Sequence, residues 1–123
     1  MSKLIAIATV VAAGAVLVFA VAAGARGAAT TNITIKGPNG DFSGKIKSSK
    51  PACLGDRKVI VYKLKGNGYD PENDTRVGTD TSEVHGDHGE WSIGNSGFKH
   101  GAFYALAKRS PGCKIGLSIP LQL

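Results

Sequence analysis

The sequence predicts an all-β fold, a seven-stranded antiparallel Greek-key sandwich, preceded by an N-terminal signal or anchor segment. Three observations carry the prediction. Downstream of residue 30 the chain falls into short runs with period-two or β-branched patterning. Gly, Pro, Asn and Asp separate these runs at the spacing that hairpins and sheet crossings need. No stretch in that region repeats apolar residues at helical spacing for long enough to bury a helix face.

The first predicted strand is Asn32–Lys36, stopped by Gly37-Pro38-Asn39-Gly40, whose Asn-Gly step is a strong turn signal. Phe42–Lys47 then alternates strictly, with Phe42, Gly44 and Ile46 on one face and Ser43, Lys45 and Lys47 on the other. Lys58–Leu64 is the most apolar run and is predicted to be central in its sheet. A polar connection, Lys65–Thr75, leads to a strand over Arg76–Thr81, and a second polar loop, Ser82–Gly89, leads into Glu90–Ile93. Ala102–Ala107 follows the Gly94-Asn95-Ser96-Gly97 turn. The last strand is Lys114–Ile119, with Ile115, Leu117 and Ile119 expected to point inward.

The chain divides into a leader, residues 1–29, and one domain, residues 30–123. From Leu4 to Ala25 no residue is charged, and Lys3 and Arg26 flank the run, which is the layout of a bacterial export signal. Small residues permit cleavage after Ala23-Gly24-Ala25 or after Gly27-Ala28-Ala29, and a mature start at Thr30 is preferred over Arg26. The alternative is an uncleaved anchor, because about 17 to 25 apolar residues span a bilayer. Either way the domain is expected to be secreted or extracytoplasmic, with the membrane involved only through residues 4–25.

Lys3 and Arg26 belong to the leader, so the domain keeps 13 of the 15 basic residues against all 9 acidic ones, a formal charge of +4. The cations are dispersed, which suits a solvated surface and speaks against a nucleic-acid partner. Cys53 and Cys113, an even number in an exported domain, are expected to form one disulfide. A bridge closing a loop of about 60 residues contributes roughly 4 kcal/mol in the chain-entropy picture.

The ordered motifs Phe42-Ser43-Gly44-Lys45-Ile46, Arg57–Tyr62, Val77-Gly78-Thr79-Asp80-Thr81, Gly89-Glu90-Trp91-Ser92-Ile93 and Gly101-Ala102-Phe103-Tyr104-Ala105 resemble those of transthyretin-like, carboxypeptidase-regulatory-like sandwich domains. The resemblance covers Phe42 to about Ser118. It implies a fold and not an activity. The chain departs from the pattern in carrying extra residues, Glu83–His88, and in its cysteine pair. The hydrolytic branch of that family ends in Tyr-Arg-Gly-Ser, whereas this chain ends Ile119-Pro120-Leu121-Gln122-Leu123, and the last predicted strand has no Asn for an isopeptide crosslink.

The sharpest cluster of reactive side chains is Val84-His85-Gly86-Asp87-His88-Gly89-Glu90. Imidazole and carboxylate suit zinc or copper, so His85, Asp87 and His88 are the candidate metal ligands, with His100 as a further nitrogen. Asp70, Glu72 and Asp74 offer oxygen ligands for calcium, without the twelve-residue loop pattern. Tyr69, Asp70 and Asp74 are the candidate ligand contacts on the longer loop, on grounds of loop length and composition. No nucleophile-elbow sequence is present, and neither catalysis nor a cofactor is expected.

The expected function is therefore a non-catalytic module for binding or structural interaction, its partner an extracellular protein or a cell-surface polymer. Two alternatives stand beside it: a metal-binding protein using the His85/His88 loop, and a subunit that self-associates through Asn32–Lys36 or the apolar C-terminal edge Leu117–Leu123.

Overall fold

The computed structural model describes residues 27–123. The leader Leu4–Ala25, its flanking Lys3 and Arg26, and the earlier of the two cleavage motifs lie outside the described residues. Nine strands follow in order: β1 (Asn32–Ile33), β2 (Phe42–Lys47), β3 (Lys58–Lys63), β4 (Thr75–Thr81), β5 (Glu83–His85), β6 (His88–Ile93), β7 (Ala102–Ala107), β8 (Gly116–Leu117) and β9 (Leu121–Gln122). Two short 3₁₀ turns, Pro38–Gly40 and Pro51–Cys53, each begin with proline, whose fixed φ suits the first helical position.

The strands form two antiparallel sheets, so the chain is an all-β sandwich. One sheet has the order β1-β2-β6-β5 and the other β4-β3-β7-β8, with β9 also pairing β7. The chain crosses between sheets after β2, β4 and β6. β3 is central in its sheet, flanked by β4 and β7, as its continuous apolar sequence predicts.

Between the sheets lie Ile33, Phe42, Ile46 and Trp91 from the first and Val59, Val61, Phe103, Ala105 and Ala107 from the second. Phe42 and Phe103 meet across the gap with ring centroids 4.9 Å apart. Burying each large apolar side chain here contributes about 1.5–3 kcal/mol. Alternation then sends Ile60, Tyr62, Tyr104 and Leu106 to the opposite, outer face of the second sheet, where they form a second buried cluster. A sheet face normally left to solvent is here covered, and the cover is the loop between β3 and β4.

Three sequence expectations are corrected. The predicted loop Ser82–Gly89 is a β-hairpin: β5 and β6 pair with His85 opposite His88, and Gly86 at φ 65° supplies the positive φ that a two-residue hairpin turn needs at its first position. With the C-terminal segment split in two, this hairpin raises the strand count from seven to nine.

The first predicted strand contracts to Asn32–Ile33, joined later to β2 by the backbone pairs of Thr34 and Lys36 with Lys45 and Ser43.

The last predicted strand is inverted. Ile115, Leu117 and Ile119 point outward and are 47%, 42% and 84% exposed, while Gly116 and Ser118 face inward. The N-terminal strand crosses there, so that a Cβ on Gly116 would stand 2.8 Å from Thr31 Cγ2. Ser118 uses its inward hydroxyl to accept from the Ala105 amide at 2.8 Å, replacing a backbone partner. Small and hydroxylic side chains fit where isoleucine would not, and the period-two signal alone does not reveal which phase is buried.

Candidate functional site

The disulfide, the polar loop and the histidine hairpin occupy separate places on the sandwich. Cys53 and Cys113 are bridged, with Cα atoms 5.6 Å apart, and both are buried. Such a bridge is what an oxidising, extracytoplasmic environment produces. Among the described residues no helix is long and apolar enough to cross a membrane.

Beside the bridge lies a residue that the sequence reading passed over. Arg57 is only 1% exposed. Its guanidinium donates to Cys53 O and Thr31 Oγ1 from Nη1 at 2.9 and 3.0 Å, and to Lys108 O and Lys114 O from Nη2, both at 2.9 Å, with Nε adding a contact to Lys108 O at 3.3 Å. One planar fork thus joins the N-terminal strand, the approach to β3, the end of β7 and the residue after Cys113. Burial lowers the Arg57 pKa from its usual high value. The signal for it was present: stepping back by two from Val61 and Val59 places position 57 on the core face.

The β3–β4 loop is held down over the outer face of the second sheet. Asp74 is buried, and its carboxylate accepts from the Lys65 amide at 3.0 Å, the Asp70 amide at 2.9 Å and the Tyr104 hydroxyl at 2.6 Å. Burial by itself would raise the Asp74 pKa, but these hydrogen bonds outweigh it and hold the carboxyl below its ordinary value. Tyr104, buried and donating to that carboxylate, is raised well above an ordinary phenol. Tyr69 places its ring edge-on to Tyr104 at 4.8 Å and donates its hydroxyl to Ser118 O at 2.7 Å. Of the three candidate contacts on this loop, Asp74 spends its carboxylate inside the fold, Tyr69 covers Tyr104 while remaining 43% exposed, and Asp70 faces solvent beside Asn73.

The β5–β6 hairpin brings its imidazoles and carboxylates together. His88 Nδ1 lies 3.0 Å from Asp87 Oδ1 and Nε2 lies 2.8 Å from Glu90 Oε2, so both ring nitrogens face carboxylates. The hydrogen bond with Asp87, followed by that with Glu90, raises the His88 pKa and lowers those of both acids. Across the hairpin His85 Nε2 stands 3.9 Å from Glu90 and 4.0 Å from Glu83. Among the described residues no group of three or more His, Cys, Asp and Glu side chains is arranged to hold a metal ion. His100 is exposed on the approach to β7 and does not join the hairpin in any described ion pair.

Below the hairpin, the outer face of the first sheet forms an open groove of about 600 Å³. Lys45, Asp80, Glu83, His85, Glu90 and Ser92 are among its lining residues. Its floor is paired backbone, with Lys45 opposite Glu90 and Ser43 opposite Ser92. The lining is polar and of mixed sign, suited to hydrogen bonding. Among the described residues no serine or threonine hydroxyl is hydrogen bonded to an imidazole. His85 belongs to the groove, His88 and Asp87 lie along the hairpin beside it, and the Tyr69 loop covers the other sheet.

No protein-family model, curated protein or solved structure matches the chain.

Proposed function

We propose that this protein is an extracytoplasmic, non-catalytic β-sandwich module that makes contact with a partner at the cell surface, a protein, a polymer or the membrane itself. The observation that carries the reading is how the side chains divide between the inside and the outside. The buried charges, Arg57 and Asp74, are consumed in holding loops and termini, while Ile115, Leu117, Ile119 and Tyr69 remain exposed. Folding consumes the first set. Exposed apolar surface left over is the mark of an interaction site.

The disulfide supports the extracytoplasmic setting, and the apolar run Leu4–Ala25 supports export by a signal or retention by an anchor. The order β1-β2-β6-β5 facing β4-β3-β7-β8 supports the immunoglobulin-like form of a Greek-key sandwich. The resemblance to transthyretin-like domains belongs to the same proposal and rests on the motif order alone.

The test is retention on the isolated envelope of a bacterial host that exports the chain. Freed of its leader, the oxidised protein is expected to sediment with envelopes and to be released from them by the Leu117→Ser/Ile119→Ser pair. Equal recovery in the supernatant with and without envelopes would overturn the reading.

A further inference from the structure

We propose that the outer, open edge of the second sheet docks on an anionic lipid bilayer, through Ile115, Leu117 and Ile119 and the lysines beside them. This deepens the interaction-module reading and rests on it.

Four of the five large apolar side chains exposed among the described residues, Tyr69, Ile115, Leu117 and Ile119, gather on this face. Leu117 pairs opposite Leu106, whose side chain belongs to the outer cluster with Ile60, so the row extends that cluster to the sheet edge. Tyr69 joins it through its hydroxyl on Ser118 O. An isoleucine that is 84% exposed gains nothing from folding.

Cations bound the row on the side of the disulfide. The Lys108 amide donates to Lys58 O at 2.9 Å, and strand alternation puts both lysine side chains on the face of Leu106 and Ile60. Asp74 lies beneath this face, buried and spent on the Tyr104 hydroxyl and two loop amides; Asp70 and Glu72 stand in the covering loop beside Tyr69, and Asp56 precedes β3 at the end of the sandwich. An apolar row with lysines at its margin matches the boundary between acyl chains and negatively charged headgroups.

The direction from which the chain arrives agrees. Gly27 O accepts from Lys50 Nζ, and Ala29 pairs alongside Cys113, two residues before Ile115. Immediately N-terminal to this point the sequence is the uncharged run Leu4–Ala25. Wherever that run is kept in a membrane, the row is brought next to lipid.

A second copy adding its own strand suits the edge less well. Ala29 and Thr31 already occupy it as far as Gly116, through the amide of Lys114 on Ala29 O and Thr31 Oγ1 on Lys114 O. Pro120, which cannot donate, interrupts the edge after Leu117–Ile119.

The test places a tryptophan reporter on the full chain in vesicles of phosphatidylglycerol with brominated acyl chains. Trp91 is buried and serves as the internal reference. Ile119→Trp is expected to be quenched at least threefold more than Val84→Trp, which reports from β5. The excess quenching is expected to fall at least tenfold in phosphatidylcholine vesicles, and likewise with Lys58→Glu/Lys108→Glu. Equal quenching at positions 119 and 84, or quenching indifferent to lipid charge, would overturn the proposal. So would a dimer in light scattering that Ile119→Ser dissolves, since the occupant would then be a second copy. Envelope retention without lipid contact would sink this inference alone. Loss of both would sink the module reading as well.

Discussion

Tyr104 donates its hydroxyl to the Asp74 carboxylate at 2.6 Å, joining the middle of β7 to the end of the β3–β4 loop. This contact, with the Lys65 and Asp70 amides on the same carboxylate, turns a polar connection into a cover over Tyr62 and Tyr104. Replacing Asp74 by Asn removes the charge from three hydrogen bonds and is expected to lower stability by about 1–2 kcal/mol. The pH dependence follows from the sign of the shift. The folded pKa of Asp74 lies below its unfolded value, so its stabilisation is fully present above about pH 4 and is lost as pH falls through the folded pKa. Urea unfolding measured from pH 7 to pH 2 is expected to show this loss in the native sequence and a flatter profile in Asp74→Asn. Identical profiles would refute the role given to Asp74.

Arg57 is expected to be the most sensitive polar position. Arg57→Met leaves the carbonyls of Cys53, Lys108 and Lys114 without their common donor, a loss on the order of 3 kcal/mol. Arg57→Lys keeps the charge without the planar fork and is expected to fall between the two. Thermal unfolding of the three proteins orders them. A Lys variant equal to the native protein would show that the fork geometry is unimportant.

Leu117→Ser and Ile119→Ser are expected to change stability by no more than about 0.5 kcal/mol, the ordinary range for exposed positions. Phe103→Ala, in the core between the sheets, is expected to cost about 3–5 kcal/mol. A large loss at position 117 or 119 would mean that the C-terminal strand is in the other phase, with its isoleucines inside.

How much of this could be read from the residues depends on what makes each feature local. The two-sheet architecture was legible because turn residues and strand patterning are local signals: Asn39 and Gly40 do take positive φ, and Lys58–Lys63 is central. The bridge was legible from cysteine number and setting. The phase of the last strand was not, because it depends on Thr31 crossing at Gly116, a contact 85 residues distant in sequence that no local period encodes. Nor was the role of Asp74, since a carboxylate in a polar loop reads the same whether it faces a ligand or the Tyr104 hydroxyl. The histidine hairpin reads as a loop in the sequence because Gly86 and Asp87 signal a turn while β5, at only three residues, is too short to show alternation.

His88 is expected to titrate above its ordinary value of about 6.5. Because its folded pKa is raised, the stabilisation from Asp87 and Glu90 is fully present below the unfolded pKa and is lost as pH rises through the folded one. An NMR titration of the imidazole protons checks this, and Glu90→Gln is expected to bring the midpoint back down. A His88 midpoint below 6.5 in the native protein would contradict the paired arrangement.

The most direct test of an extracytoplasmic, disulfide-locked module is the intact mass of the chain recovered from a bacterial host by cell fraction, before and after reduction and alkylation. The expected species lies outside the cytoplasm, gains about two daltons on reduction and offers no thiol to alkylation until then, as one bridge requires. If its leader has been removed, the expected start is Thr30, with Arg26 the alternative. A cytoplasmic species with Cys53 and Cys113 both open to alkylation would contradict the compartment and the covalent frame together.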